Sequence, residues 1–294
     1  MRVAAIDIGT NSTRLLVAEY TGNRLNRLET GLITTRLGKG MAGGKLQAET
    51  MLNTADAVDL FYQKAIDMGA EVVVAAATSA VRDASNKTDF LELVKKRTCL
   101  AVKVLSGEEE AALSYQGVLS GLLVEHGSTL VIDIGGGSTE FIWMRGDRLN
   151  LASVNAGAVR LTAAGADEAA TYNILRPTLE QVKVSCPERL VGVGGTVTTL
   201  AAIDQRLAHY DPDRVHGYSL SALNVDRILK MLMDMEVEER RKVPGLRPER
   251  ADIIVAGVVI VKIIMESLGL ERMIVSECDI LYGLALKEVG INNK

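Results

Sequence analysis

Two short segments carry residue types suited to phosphate, Asp7-Ile8-Gly9-Thr10-Asn11-Ser12 and Asp133-Ile134-Gly135-Gly136-Gly137-Ser138. Successive amides with no Cβ in the way form a concave anion nest. A carboxylate beside such a nest is where a hard divalent cation such as Mg²⁺ sits, directly or through water. On that chemistry Gly9, Thr10, Asn11 and Ser12, with Gly135, Gly136, Gly137, Ser138 and Thr139, are candidate phosphate-binding residues. Asp7 and Asp133 are candidate metal residues. A hairpin turn that merely wants glycine competes for either copy alone, but two copies sharing the leading Asp and the closing Ser favour the ligand reading.

Each copy follows a short apolar run, Val3-Ala4-Ala5-Ile6 or Leu130-Val131-Ile132, and precedes another, Leu15-Leu16-Val17-Ala18 or Phe141-Ile142-Trp143-Met144. Both therefore read as strand, glycine turn, strand, and the repetition predicts two related halves. Between them, apolar residues from Leu52 to Met68 recur every three or four positions and stop at Gly69, which predicts a helix with glycine just past its end. A strand over 72–77, a polar loop carrying Arg82, a helix over 89–96, a strand over 102–105 and a helix opened by Ser106 follow. Alternating strands and helices predict α/β layers. A polar, glycine-containing stretch at 122–128 predicts a boundary between domains 1–124 and 125–294. The second half continues with a strand at 190–193, an apolar helix around 253–265 and a segment at 273–277.

The chain has 294 residues, 48% of them hydrophobic and 24% charged, which is a folded globular composition. With 33 Lys and Arg against 37 Asp and Glu and no long run of one sign, it lacks the surface that grips nucleic acid or anionic lipid. The longest apolar run, Ile253 to Val261, is nine residues, well short of a membrane span. Cys99, Cys186 and Cys278 are odd in number and far apart, predicting reduced, mostly buried thiols and a cytoplasmic location. The N-terminus shows no export signal.

Further residues stand out by position. Arg82 offers a guanidinium fork that fits phosphate, against the alternative of a surface salt bridge. Glu140, just past the second nest, could organise a metal or a water, against the alternative of an exposed strand-end carboxylate. Gly194, Gly195 and Thr196 follow a strand and could contact phosphate or nucleotide, or form a tight strand-to-helix turn that Thr196 caps. The Gly38–Gly43 segment matches G-x-G-x-x-G but lacks the preceding strand, and is read as a loop. His126, His209 and His216 are too dispersed for a metal cluster.

Taken together, the two Asp-Ile-Gly segments, Ala77-Thr78-Ser79-Ala80-Val81-Arg82, Ser106-Gly107-Glu108-Glu109-Glu110-Ala111, Gly157-Ala158-Val159-Arg160, Gly192-Val193-Gly194-Gly195-Thr196 and Arg250-Ala251-Asp252 resemble, in order, the blocks of the Ppx/GppA phosphatase family. The resemblance implies two ribonuclease-H-like domains of the actin, sugar kinase and heat-shock ATPase superfold with the active site in an interdomain cleft. It also implies a homodimer, substrate-phosphate contact by Arg82 and a catalytic base on the Ser-Gly-Glu-Glu-Glu-Ala helix. If Ser106 caps that helix, Glu109 falls at N3, where a capping box claims it. Glu110, about 100° further round, is free to face a cleft and aligns with the family's base, with Glu109 in reserve. The expected activity is Mg²⁺-dependent release of terminal phosphate from polyphosphate, guanosine pentaphosphate (pppGpp) or both, by water that Glu110 activates. A small-molecule kinase and a non-catalytic nucleotide sensor on the same superfold are the alternatives.

Overall fold

The computed structural model describes residues 1–22, 24–41, 44–124 and 127–290. Chain contacts divide it into two units, one of Met1–Ser120 together with the segment from Asp279 onward, the other of Gly121–Cys278. The expected boundary at 124/125 thus falls at 120/121, and the expected second domain is not one unit, because its last helix packs with the first.

The first unit contains strands β1 (Arg2–Ile8), β2 (Thr13–Thr21), β3 (Arg24–Ile33), β4 (Val72–Ala77) and β5 (Val102–Val104), in sheet order β3-β2-β1-β4-β5. Its helices are α1 (Ala48–Asp67), α2 (Ser79–Arg82), α3 (Lys87–Thr98) and α4 (Gly107–Gly121). In the second unit β6 (Thr129–Ile134), β7 (Thr139–Arg145), β8 (Arg148–Val154), β9 (Arg189–Val193), β10 (Ser219–Ser221) and β11 (Arg272–Val275) take the order β10-β11-β9-β6-β7-β8. Helices α5 (Ala158–Ala164), α6 (Glu168–Lys183), α7 (Gly195–Asp204), α8 (Pro212–Val215), α9 (Ala222–Met233), α10 (Val237–Arg240) and α11 (Ile254–Leu268) belong to it, and α12 (Ile280–Glu288) returns to the first unit. Starting from the third strand of each, the two units share one plan: two antiparallel partners, then parallel neighbours after a crossover. The α/β expectation and the two related halves both hold.

The strand period of two sorts each hairpin into a packing face and a chemical face. Ile6, Ile8, Leu15 and Val17 enter a core with Phe61 of α1 and Phe90 of α3, while Ile132, Ile134 and Phe141 enter one with Val197, Leu200 and Val258. Asp7 and Arg14, and Asp133 and Glu140, alternate with those core residues and lie on the opposite faces. Arg82 sits on a one-turn helix rather than in a loop. Cys99 and Cys186 are exposed and only Cys278 is buried, so two of the three thiols are not where composition put them. Residues 37–40 form a turn, and residues 42, 43 and 126 of the motifs named above lie outside the described residues. Among the described residues no helix is long and apolar enough to cross a membrane.

Candidate active site, built as two half-sites

The two glycine loops close in the same way. Ile8 pairs with Thr13 and Gly9 N–H donates to the Ser12 carbonyl at 3.0 Å; Ile134 pairs with Thr139 and Gly135 N–H donates to the Ser138 carbonyl at 3.0 Å. Loop carbonyls are then tied from behind. Arg36 and Gly38 amides donate to Asn11 O (2.9 Å) and Thr10 O (2.8 Å), and Ala158 and Val159 amides donate to Gly135 O (3.1 Å) and Gly136 O (2.8 Å). Arg160 Nε holds Gly137 O at 2.7 Å. In a trans peptide the N–H points opposite to the C=O. Tying those carbonyls therefore turns the Asn11 and Ser12 amides, and those of Gly136, Gly137 and Ser138, toward the other side, which is the arrangement of an anion nest.

At one register position the copies differ. Asp7 faces Arg14 across β1 and β2, whereas Asp133 faces Glu140 across β6 and β7. Arg14 donates to Asp7 Oδ2 through Nη2 at 2.7 Å and Nε at 3.0 Å, and its Nη1 reaches Asp279, the N-cap of α12. Burial pushes the Asp7 carboxyl above its ordinary range, and the Arg14 guanidinium offsets part of that rise. In the second unit the cross-strand partner adds a charge instead of cancelling one: Asp133 and the fully buried Glu140 are both carboxylates on one face. Directly opposed residues of that kind have Cβ atoms about 5 Å apart.

The ends of β1, β4 and β5 lie side by side at the edge where ligands of parallel α/β sheets bind. From β4 comes α2, anchored by the Thr78 amide on Ile8 O at 3.2 Å, with Ser79 Oγ 2.8 Å from Thr10 Oγ1. After β5, the Ser106 hydroxyl accepts from Glu109 N–H at 3.1 Å while Glu109 Oε2 accepts from Ser106 N–H at 2.9 Å, closing the capping box. Lys103 Nζ holds the other Glu109 oxygen at 2.6 Å and is the main reason that carboxyl sits below its ordinary range. Glu110, one residue on, is buried and accepts from Arg82 Nη1 at 2.9 Å, and Arg82 also donates to Leu105 O at 3.2 Å. Arg82 and Glu110 are thus brought together, while Glu109 is committed to the helix end. Replacing Glu109 with Ala is expected to cost about 1 kcal/mol of stability and leave turnover intact. A deep loss of turnover at unchanged folding would instead transfer the base to Glu109.

Gly194 caps α7 with φ +89°, and a side chain there would come within 2.7 Å of Asp133 Oδ1. Glycine is required for β9 to end this close to the carboxylate. Thr196 is buried against Gly257 of α11 and is not the cap. Thr139 is buried with its hydroxyl donating to Ala156 O, so it ties the loop down. The sequence reading missed Arg14, Asp279, Ser79, and Ser153, which donates to Glu140 Oε1 at 2.7 Å.

Among the described residues no three His, Cys, Asp or Glu side chains gather into a metal site. The donors present still fit a hard cation. Asp133 and Glu140 supply paired carboxylates at one nest, and Asp7 Oδ1 is buried with no hydrogen-bond partner at the other. Mg²⁺ takes one or two carboxylates and completes its shell with water and phosphate oxygens.

Duplicated glycine hairpins, each with a carboxylate before an anion nest, and a buried Glu–Arg pair beside one of them define a phosphate-handling α/β protein. Residues 4–289 match the profile of the Ppx/GppA phosphatase family, and the chain belongs to that family. It is 31% identical to exopolyphosphatase 2 of Mycobacterium tuberculosis, over 98% of this chain and 99% of that protein. To the guanosine-5'-triphosphate,3'-diphosphate pyrophosphatase of Photobacterium profundum it is 34% identical, over 97% of this chain and 57% of that protein. It spans about half of the bifunctional 3-dehydroquinate synthase/phosphatase of Fusobacterium nucleatum, at 31% identity over 99% of this chain and 47% of that protein. Among solved structures, an exopolyphosphatase from Cytophaga hutchinsonii superposes with a TM-score of 0.91 at 27% identity, covering 99% of both chains. The Aquifex aeolicus family member gives 0.79 at 31% identity, covering 100% of this chain and 99% of that one.

Proposed function

We propose that this chain is a divalent-cation-dependent phosphohydrolase that releases the terminal phosphate of polyphosphate, of pppGpp or of both. The observation that carries the reading is the Arg82–Glu110 pair at 2.9 Å, a buried carboxylate fixed by a phosphate-seeking guanidinium while its neighbour Glu109 closes the helix end. Glu110 takes the proton of the attacking water, whose oxygen bonds to the terminal phosphorus as the bridging P–O bond breaks. The remaining polyphosphate or nucleotide leaves with the bridging oxygen. Arg82 stabilises the charge on the transferred group, which is where most catalysis of phosphoryl transfer arises, and the amides of each loop bind phosphate oxygens. Asp133 and Glu140 would hold Mg²⁺, with Asp7 serving the first loop, and a cation bound there would supply charge neutralisation at the phosphates. A cytoplasmic homodimer belongs to the same proposal and rests on the family.

The test is phosphate release from long-chain polyphosphate, pppGpp and ATP by the purified chain, with Mg²⁺ and with EDTA. Metal-dependent release from either of the first two is expected, and no release from any substrate would sink the proposal. In Glu140→Gln the Mg²⁺ concentration for half-maximal activity should rise by about 10- to 100-fold, the range seen when groups around a metal are altered. An unchanged metal dependence would remove Glu140 from the cation site.

A further inference from the structure

Across the second unit's sheet, Asp133 on β6 pairs with Glu140 on β7, and Glu140 pairs in turn with Ser153 on β8. Directly paired residues share a face, so the three side chains form one row. The equivalent row of the first unit runs Asp7, Arg14, Leu32. The two rows differ together at their second and third places. Where the second residue is an arginine, which brings its own donors, the third is a leucine. Where it is a carboxylate, the third is a serine, whose hydroxyl donates to Glu140 Oε1 at 2.7 Å. The segment that carries Ser153 also fastens the nest: Ala156 O takes the Thr139 hydroxyl, the Ala158 and Val159 amides hold Gly135 O and Gly136 O, and Arg160 Nε holds Gly137 O. Residues 153–160 thus fix the loop and, through Ser153, the carboxylate beside it.

Glu140 is fully buried, whereas Ser153 is exposed on the edge strand of the sheet. An exposed hydroxyl has water for a partner, so the bond serves the carboxylate and not the serine. The last torsion of a glutamate joins an sp³ to an sp² carbon and has a broad, two-fold preference. The side chain therefore does not set the plane of its own carboxylate, and a hydroxyl bonded to one oxygen does. That plane matters more to some cations than to others. Mg²⁺ demands near-ideal octahedral coordination, whereas Ca²⁺ accepts irregular shells. Hydrogen bonds to a ligating carboxylate are accordingly part of a metal site although they never touch the metal.

We propose that Ser153 is a positioning residue that sets the orientation of the Glu140 carboxylate and thereby favours Mg²⁺ over Ca²⁺ at the second nest. This deepens the hydrolase reading and rests on its cation site at Asp133 and Glu140. The test is calorimetric titration of the substrate-free chain with Mg²⁺ and with Ca²⁺, for the parent, Ser153→Val and Ser153→Thr. Both replacements are β-branched and suit a strand, and they differ from each other in the hydroxyl alone. Ser153→Val should weaken Mg²⁺ binding by about 10- to 100-fold, the range for altered outer hydrogen bonds at metal sites. Its Ca²⁺ binding should fall by less than about threefold, because that shell adapts. Ser153→Thr, which keeps a hydroxyl donor, should stay within about threefold of the parent for both cations. Unchanged Mg²⁺ affinity in Ser153→Val, or equal losses in the two variants, would overturn the assignment, as would equal losses of Mg²⁺ and Ca²⁺. A parent chain that binds neither cation overturns it too. Mg²⁺ binding that depends on the Ser153 hydroxyl, in a chain that releases phosphate from no substrate, keeps the assignment and removes the hydrolase reading.

Discussion

Glu110→Gln should lower kcat for phosphate release by about 10²- to 10⁴-fold, the usual contribution of a positioned general base, while KM changes little. The substitution preserves shape, and Arg82 Nη1, 2.9 Å from Oε2 in the native chain, can donate to an amide oxygen as it does to a carboxylate. What the amide cannot do is accept the proton of water. A drop of that size corresponds to about 3–5 kcal/mol in the barrier, with the thermal unfolding midpoint close to that of the parent. Steady-state release under saturating substrate and Mg²⁺ is the measurement. Turnover within threefold of the parent, in a folded variant, would take Glu110 out of the chemical step and leave it as the structural partner of Arg82.

The second large effect concerns stability. Arg14→Leu removes the one guanidinium that answers both Asp7 and Asp279, each of them buried. Stripping one partner from a buried ion pair costs about 3–5 kcal/mol, because the remaining charge is left uncompensated. The deficit should depend on pH in a definite direction. Burial already raises the Asp7 carboxyl and Arg14 opposes that rise, so in Arg14→Leu the folded-state pKa moves further above the unfolded one. The folded chain then binds protons that the unfolded chain has released, and stability falls as pH rises through the folded value. Denaturant unfolding of parent and Arg14→Leu should therefore differ most at neutral pH and converge toward pH 4. A deficit independent of pH would mean that Arg14 acts through packing and not through charge.

How far the sequence could be read follows from which interactions are local. The glycine loops, the hairpins around them and the capping box at Ser106 each involve residues within a few positions, and periodicity with loop chemistry found them all. The pairing of Asp133 with Glu140 was within reach as well: four loop residues between strands place 133 opposite 140, and the same arithmetic sets Arg14 against Asp7. Reading Asp7 as a metal residue without its cross-strand arginine overlooked that step. Strands β3 and β8 escaped notice although Gly22-Asn23 and Gly146-Asp147 are two-residue hairpin signals. The short α2 escaped too, since four residues show no helical period. Asp279 could not have been found, because it meets Arg14 across 265 positions and no local pattern reports such a contact.

That last contact has a consequence for how the chain is made. Synthesis runs from the N-terminus, so the first unit's sheet is complete by residue 104, yet α12 and Asp279 emerge only after the whole second unit. During that interval Arg14 has only the Asp7 carboxylate to answer its charge, and the unit waits for its final helix. Its folding is therefore tied to the synthesis of α12, whereas the unit encoded in between, contiguous from Gly121 to Cys278, can finish first.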